Sequence, residues 1–302
     1  MSVPATSEPP KLDELTARIR GALRALPFTT ASLETYGEDN LIVVLDDKWI
    51  VRFPRNDDYR ARFSAELNLL DVLGPLSELS VPRYEHVSPD KSFGAYRRIP
   101  GSELTPARFA ALSESERKDA LTSLGEFLST LHALPPRLIA QPDGTIARTW
   151  SGEQFAALYR GMRRAKIARV VPPAALERFD AFHDVFENSQ QGPSRLVHDD
   201  ISDDHILVDA GRISGIIDFS DASFGDPAID FAFFWRLGED SLDAVLRAYR
   251  FAAEDPTLKV RSHWTFVRYM INQLAYGARA KWGLTPTQVL DELEPHLKKL
   301  GF

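Results

Sequence analysis

The first hundred residues are dominated by short runs rich in apolar residues, separated by polar turns. After a helical face from Lys11 to Leu26, such runs cover Ala31 to Thr35, Leu41 to Leu45 and Trp49 to Phe53. Short runs of this kind bounded by turn residues predict β-strands. Helical spacing returns at Phe63 to Leu73. Two further short strands are expected at Val81-Pro82 and at Ala95 to Ile99.

Beyond Pro100 the apolar positions take the period of α-helices. Three pairs have the spacing of a capping box and predict helix starts: Ser113 with Glu116, Ser151 with Gln154, and Thr285 with Gln288. The pattern therefore predicts a disordered tail over residues 1–10, a small strand-rich lobe over residues 11–98 and a larger helical lobe over residues 99–302. A hinge is expected near Arg98 to Gly101.

One stretch inside the larger lobe interrupts the helical pattern. Residues 196–231 hold nine aspartates and two histidines between apolar runs. Two short strands joined by a turn at Gly211 predict a hairpin, which would place Asp200, His205 and Asp218 around one point. Oxygen ligands suit a divalent cation, and a Mg²⁺ bound with nucleotide phosphates needs one or two carboxylates. Another aspartate then remains to accept a proton.

Composition narrows the classes of function. The chain has no cysteine, which excludes thiolate chemistry and disulfides. A net charge of −7 argues against general affinity for nucleic acid and is compatible with a cationic ligand. The N-terminal residues lack the features of a signal peptide, and no apolar run is long enough to cross a membrane. A cytoplasmic protein without nucleic-acid or membrane partners is expected, and its oligomeric state stays open.

The acidic stretch resembles the aminoglycoside and macrolide phosphotransferases. The motifs that carry the resemblance occur in the order typical of that family: His198-Asp199-Asp200, His205-Ile206-Leu207, Gly215-Ile216-Ile217-Asp218-Phe219, Gly225-Asp226-Pro227 and Asp230-Phe231. The resemblance implies an α+β, bilobal protein-kinase-like fold, with a small antiparallel-sheet N-terminal lobe and a larger, mainly helical C-terminal lobe. It also implies an enzyme that moves the γ-phosphoryl group of ATP or GTP to a hydroxyl of a small molecule.

Roles in the reaction carry over from the family by position. Asp200 corresponds to the aspartate that orients and deprotonates the acceptor hydroxyl, and Asp218 corresponds to a Mg²⁺ ligand. His205 stands where most members have asparagine, and a histidine there is found in the aminoglycoside 2″-phosphotransferase branch and in many macrolide kinases. The resemblance therefore implies His205 as a second Mg²⁺ ligand. His198 and Asp230 resemble the residues that brace the catalytic loop.

The resemblance also implies a nucleotide site in the smaller lobe. Arg52 occupies the place of the kinase strand lysine, with Glu66 as its partner, and the turn at residues 37–40 corresponds to the loop over the nucleotide. The backbone near Arg98 and Ile99 would pair with the purine edge. Tyr96 corresponds to the gatekeeper, where a bulky aromatic residue goes with the use of GTP.

The acceptor would be chosen by the larger lobe. Carboxylates with aromatic walls suit a polyamine sugar, and the candidates are Trp235, Glu239, Asp240, Trp264 and Trp282. An aminoglycoside ranks ahead of a macrolide or a small metabolic alcohol such as choline or homoserine, and the fold alone does not choose. A non-catalytic nucleotide-binding protein is a further alternative, although Asp200 and Asp218 are both present. The residue spacings speak against a metal-dependent oxygenase and a Ca²⁺ loop.

Overall fold

The computed structural model of the protein describes residues 11–34, 39–188, 192–276 and 282–302. The predicted tail over residues 1–10 and half of the predicted nucleotide loop, Gly37 and Glu38, lie outside the described residues. None of the described helices combines the length and the apolar character needed to cross a bilayer.

A five-stranded antiparallel sheet in the order β1-β2-β3-β5-β4 forms the N-terminal part of the fold. Its strands are β1 Ala31–Glu34, β2 Asn40–Leu45, β3 Trp49–Pro54, β4 Tyr84–Val87 and β5 Gly94–Arg97. Val43 pairs with Val51, and Val51 pairs with Ala95, so small and β-branched side chains fill the buried face. The first three predicted strands are confirmed.

The strand predicted at Val81-Pro82 is wrong, because β4 begins at Tyr84 instead. Proline has no N–H to contribute to a ladder, which makes Pro82 a poor strand residue. Val81 is buried, but it belongs to an irregular segment and not to a strand.

Helices make up most of the rest of the chain. They are α1 Leu12–Ala22, α2 Asp57–Leu73, α3 Pro106–Ala111, α4 Glu114–His132, α5 Gly152–Ala165, α6 Pro173–Phe186, α7 Ala228–Phe231, α8 Glu239–Ala248, α9 Leu258–Gln273 and α10 Pro286–Leu300. The three predicted capping boxes are present at the starts of α4, α5 and α10. Each satisfies backbone N–H groups that an uncapped helix would leave unpaired.

The acidic stretch lies on short strands at the base of the helical part. These are β6 Ser102–Glu103, β7 Arg195–Val197, β8 Ile206–Asp209, β9 Arg212–Ile216 and β10 Ser223–Gly225. The predicted hairpin is confirmed, because β8 and β9 pair antiparallel, and β9 ends two residues before Asp218. A separate antiparallel pair of β10 with β7 holds the segment that leads into His198.

Two apolar cores account for the bilobal architecture. The smaller core lies between α1 and the five-stranded sheet and includes Leu15, Val43 and Phe53. The larger core fills the helical part and also takes in Leu69 and Leu73 from the end of α2. The expected α+β, bilobal architecture is thereby confirmed, with α2 packed between the two lobes.

Backbone contacts join the two lobes at the hinge side. The Ile216 N–H donates to the Ser80 carbonyl at 2.9 Å, and the Ser80 N–H donates to the Ser214 carbonyl at 3.3 Å. Nearby, the Ser214 hydroxyl donates to the Pro100 carbonyl at 2.5 Å. A Cβ on Gly215 would lie 2.5 Å from the Ser80 carbonyl oxygen, so glycine permits this close approach.

Candidate active site

A buried carboxylate holds the loop that carries Asp200. Asp230 is fully buried, and its two oxygens accept the N–H groups of His198 at 2.8 Å and Asp199 at 2.9 Å. His132 Nε2 lies 3.0 Å from the same carboxylate. Asp230 therefore braces the loop, as the resemblance implied, and Asp200 is among the loop residues that line the cleft.

His198 has a defined direction of hydrogen bonding. Burial lowers the pKa of His198, which favours the neutral ring. A carbonyl oxygen can only accept, so Nε2, which lies 3.0 Å from the Ile217 carbonyl, carries the proton and donates to it. The Nδ1 atom is then unprotonated and accepts the Asp200 N–H at 3.3 Å. The ring also packs at 4.5 Å on Phe219. His198 thus ties the Asp200 loop to the segment before Asp218.

His205 lies between the two predicted key aspartates. Its Nδ1 is 2.8 Å from the Asp200 carbonyl oxygen and 3.3 Å from the Asp200 carboxylate. Its Nε2 is 3.7 Å from Asp218 and 3.8 Å from Asp204, measured to the carboxylate oxygens. The structure therefore brings Asp200, His205 and Asp218 together, which is the arrangement that the hairpin predicted.

Asp218 occupies a constrained position after β9. Its φ of 65° lies in the left-handed region, which is uncommon for residues other than glycine and is often found at functional sites. Its Oδ1 accepts from Arg52 Nη2 at 2.7 Å and from the Ser220 hydroxyl at 2.8 Å. Burial raises the pKa of Asp218, but the Arg52 charge and these hydrogen bonds outweigh burial and hold the pKa well below its usual range.

Arg52 joins the small lobe to this carboxylate. The side chain is 3% exposed, and Nη1 donates to Glu66 Oε1 at 2.7 Å while Nη2 reaches Asp218. Burial lowers the pKa of Arg52, but the carboxylates of Asp218 and Glu66 raise it further, so the guanidinium stays charged. The predicted Arg52–Glu66 pair is formed, and the connection to Asp218 is an addition that the sequence did not indicate.

The predicted purine-binding residues lie at the hinge end of the sheet. Tyr96 is buried and packs edge-on against Tyr84, with ring centroids 5.1 Å apart. The Arg98 N–H donates to the Lys48 carbonyl at 2.8 Å, so this donor is used within the small lobe. The backbone groups that stay available for the predicted purine contact are therefore the Arg98 carbonyl and those of Ile99.

A cleft of about 800 Å³ lies in front of Asp200, His205 and Asp218. Its acidic side carries Asp39, Asp199, Asp200, Asp204, Asp218 and Asp221. Its other side is largely apolar and aromatic, with a few polar groups, and includes Leu158, Phe233, Phe266, Arg268, Tyr269, Asn272, Tyr276 and Trp282. A small polar molecule with ring systems fits a cleft of this size and lining.

Of the five predicted acceptor residues, Trp282 lines the cleft as the described residues form it. Trp235 is instead in the core, stacked on His263 at 4.0 Å with its Nε1–H bonded to Ser262. Trp264 packs on Phe182 at 5.1 Å. The prediction for both residues is corrected, because the faces of their helices that carry them pack against other helices.

The two predicted acceptor carboxylates also lie outside the cleft lining. Glu239 begins α8 and forms ion pairs with Lys259 and Lys299. Asp240 is exposed in the same first turn, where an acidic residue interacts favourably with the helix dipole. Their acidity has a local structural cause, so a role in binding the acceptor is corrected as well.

Sequence reasoning missed several lining residues. Asp221 pairs with Arg62 at 2.6 Å, and burial together with the charges of Asp39 and Asp200 raises the pKa of Asp221 to about 6. Arg268 and Asn272 also line the cleft. A signal for them existed, because polar residues recur at helical spacing along α9, at Arg261, Thr265, Arg268 and Asn272.

The donor atoms fit a Mg²⁺ ion that is shared with a nucleotide. No three His, Cys, Asp or Glu side chains within the described ranges are grouped to hold a metal by themselves. Asp218 and His205 nevertheless supply a carboxylate and an imidazole nitrogen 3.7 Å apart. One or two protein ligands are enough when phosphates and water provide the remaining oxygens.

Comparison with known proteins identifies the family. The sequence model of the phosphotransferase enzyme family, abbreviated APH, matches residues 35–269. The chain belongs to this family. It is accordingly a small-molecule kinase. The matched region contains Arg52, Glu66, Asp200, His205 and Asp218, the residues that the structure brings together.

Relatives of known sequence and structure agree with this assignment. The uncharacterized protein YcbJ of Bacillus subtilis is 27% identical over 95% of this chain and 96% of its own. Hygromycin-B 4-O-kinase of Escherichia coli is 49% identical over 43 residues, which cover 14% of this chain and 13% of that enzyme.

Solved structures show the same fold. The GDP and kanamycin complex of APH(2″)-IIIa has a TM-score of 0.77 at 21% identity, covering 97% of this chain and 100% of that one. Macrolide 2′-phosphotransferase MphH from Brachybacterium faecium has a TM-score of 0.62 at 24% identity, covering 96% of this chain and 98% of that one.

Proposed function

We propose that this enzyme transfers the γ-phosphoryl group of ATP or GTP to a hydroxyl of an aminoglycoside. The observation that carries the proposal is the position of Asp200, beside the His205 and Asp218 pair and on the acidic side of one cleft. A proton acceptor and a site for the nucleotide phosphates are then within reach of one bound molecule.

The residues divide the work of an in-line transfer. Asp200 orients the acceptor hydroxyl and takes its proton. Arg52 keeps Asp218 ionised and in place through the 2.7 Å contact, with Glu66 behind it. Asp218 and His205 would hold Mg²⁺, which when bound would neutralise charge on the phosphate oxygens. Because catalysis of this kind rests on positioning, the bracing of the Asp200 loop by Asp230 contributes to the rate.

The lining of the cleft supports an aminoglycoside as the acceptor. Six aspartates face a cleft that also has an aromatic side, and ammonium groups form charge-assisted hydrogen bonds with carboxylates. The solved relative that contains kanamycin has the same fold. We infer a cytoplasmic reaction, because the donor is a nucleoside triphosphate.

A macrolide is the second candidate. Leu158, Phe233 and Phe266 give the cleft an apolar surface that a large, weakly charged ring could cover. A relative of the same fold is a macrolide 2′-phosphotransferase. Choline, homoserine or another small alcohol would leave much of a cleft of about 800 Å³ unfilled, so a small alcohol ranks last.

Nucleotide consumption with a panel of acceptors tests the proposal. Kanamycin, a macrolide and small alcohols would each be supplied with MgATP or MgGTP. We expect turnover with the aminoglycoside, and turnover with a macrolide alone would replace the first candidate by the second. A thermal-shift titration with both nucleotides provides an independent measurement, and absence of any stabilisation by nucleotide would contradict the kinase assignment.

A single substitution at Tyr96 tests the preference for GTP over ATP. Tyr96 is buried at the predicted gatekeeper position, so we infer that its bulk favours GTP. Tyr96→Leu should improve the use of ATP relative to GTP in the same assay. An unchanged ratio of kcat/KM for the two nucleotides would remove Tyr96 from this role.

A further inference from the structure

Helix α9 places two buried polar side chains on the wall of the cleft. Arg268 is 2% exposed and Asn272 is 7% exposed, and both line the cleft that also contains Asp200. Residues four positions apart lie on the same helix face, one turn from each other. The two side chains therefore form one polar patch within the aromatic side of the cleft.

Arg268 shares a hydrogen bond with Tyr269 and lies near Asp199, but three other hydrogen-bonding atoms of this patch lack a partner among the residues that the structure describes. Nε and Nη2 of Arg268 and Oδ1 of Asn272 are buried without a partner there. The guanidinium does lie over the rings of Phe155 at 3.7 Å and Tyr269 at 4.2 Å. Ring faces offset part of the cost of burying the charge, but they do not replace hydrogen bonds to the N–H groups.

A second arginine on the same helix shows that the fold can pair such a side chain fully. Arg261 is 3% exposed. It bonds Asp226 through Nε at 2.7 Å and Asp255 through Nη2 at 2.6 Å. Burying an arginine without such partners is costly for the folded protein. The contrast indicates that Arg268 is held for a partner that arrives with a bound molecule.

We propose that Arg268 and Asn272 form a subsite that binds a hydroxyl-bearing ring of the phosphoryl acceptor. Guanidinium N–H groups donate to a hydroxyl or ring oxygen, while Asn272 Oδ1 accepts an O–H, so neighbouring ring hydroxyls satisfy both side chains. An ammonium group has no lone pair to accept from Arg268 and shares its charge. The acceptor is thus oriented with its ammonium groups toward the remaining cleft aspartates, Asp39, Asp204 and Asp221, and a polyol ring toward α9.

The identification of the bound ring as part of the phosphoryl acceptor rests on the proposed function. A ring bound at Arg268 stays in the same cleft as Asp200, so another hydroxyl of the molecule can reach the proton acceptor. Because the subsite is a property of the cleft wall, its effect should fall on the acceptor and leave the nucleotide alone. This separation makes the proposal testable.

The first experiment measures stability without any ligand. Arg268→Met keeps an apolar stem over Phe155 and removes a buried guanidinium whose Nε and Nη2 lack hydrogen-bond partners, so we expect the melting temperature to stay the same or rise by a few degrees. Arg261→Met serves as the matched control and should lower it clearly, because Asp226 and Asp255 lose their partner. Asn272→Asp supplies Arg268 with a carboxylate one turn away and should raise the melting temperature. A fall for Arg268→Met as large as that for Arg261→Met would overturn the proposal, since Arg268 would then be structural.

The second experiment measures the acceptor, with kanamycin as the probe. Arg268→Met and Asn272→Asp should each raise KM for kanamycin about tenfold or more while kcat falls less and the nucleotide Kd is unchanged. Arg268→Lys, which keeps the charge but has a single donor nitrogen in place of three, should lie between. An unchanged KM in both variants would overturn the proposal.

A competition experiment distinguishes a hydroxyl-bearing ring from an amino-bearing ring as the occupant of the subsite. Glucose and glucosamine would compete with kanamycin in the wild-type enzyme and in Arg268→Met. Loss of competition by glucose supports a hydroxyl-bearing ring at Arg268, whereas loss for glucosamine alone overturns the proposal in favour of an amino group. If none of the acceptors tested makes the wild-type enzyme consume nucleotide, the proposed function fails. In that case the melting temperatures and thermal shifts with glucose still decide whether the subsite exists.

Discussion

Two histidines determine what the loop around Asp200 presents to the cleft. His198 is buried and neutral and uses both ring nitrogens to hold the backbone, so it is spent on structure. His205 places Nδ1 on the Asp200 carbonyl, which turns Nε2 toward Asp218 and Asp204. Asp200 is thereby kept next to His205 and Asp218, the pair that we propose as Mg²⁺ ligands.

Asp200→Asn tests the division of labour at this residue. The amide preserves the shape of the side chain but cannot take a proton, so we expect kcat to fall at least a hundredfold. Nucleotide affinity should hardly change, as measured by a thermal-shift titration. Asp203→Asn is a control on the same loop, since Asp203 pairs with Arg236 at 3.5 Å. Near-normal turnover of Asp200→Asn would show that another group is the base.

A buried histidine on α6 links stability to pH. Burial lowers the pKa of His183 to about 4, against 6.5 for the free side chain. Between these pH values the unfolded chain binds more protons than the folded chain. The contribution of His183 to the free energy of unfolding is therefore fully present above pH 6.5 and is lost as the pH falls toward 4. The shift corresponds to roughly 3 kcal/mol at most.

His183→Phe should reduce this dependence. The phenyl ring can keep the stacking on Tyr159, whose centroid lies 3.6 Å from that of His183, while the titrating group is removed. Urea unfolding at several pH values between 4 and 7 would measure the slope in both proteins. An identical slope would show that other histidines account for the acid sensitivity.

At the scale of elements, the sequence predicted local features better than the orientation of helices. Capping boxes and the β8–β9 hairpin depend on neighbouring residues, so their positions could be predicted closely. Whether Trp235 and Trp264 face a cleft or a core depends on how α9 and its neighbours pack, which the sequence pattern does not encode. Arg268 was missed for the same reason, although its turn of helix carried a signal.

The same limit applies to the border between the lobes. Members of the smaller core lie between Leu15 and Ala95, and we therefore propose the boundary near Arg98, as the sequence pattern suggested. Helix α2 belongs by sequence to the first lobe, yet Leu69, Leu70 and Leu73 pack into the larger core. The end of α2 was predicted as a helix, but its long-range packing was not predictable from periodicity.

For the whole molecule, Arg52 is the main buried charge contact between the lobes in the described part of the chain. Arg52→Gln would leave Glu66 buried without its partner, and we expect a loss of about 3–5 kcal/mol in the free energy of unfolding. Arg62→Gln is the matched control, because the Arg62–Asp221 pair also crosses the lobes but is 39% exposed on both sides. The control should lose less than about 1 kcal/mol.

Urea unfolding of the two variants distinguishes these effects. A loss for Arg52→Gln no larger than that for Arg62→Gln would show that the Arg52 contacts serve the nucleotide site alone. In the expected case, the first variant loses both stability and nucleotide affinity, since Asp218 is released from its position.

The close contact at Gly215 has a mechanical consequence. The Ser80 backbone is bonded to Ser214 on one side of Gly215 and to Ile216 on the other, so the small lobe is attached to the large one at this point besides the chain itself. Together with the connection near Arg98, this attachment gives two fixed points, which define an axis. We expect opening of the cleft for a nucleotide to be a rotation about that axis, like a door on two hinges, and not a sliding of one lobe past the other.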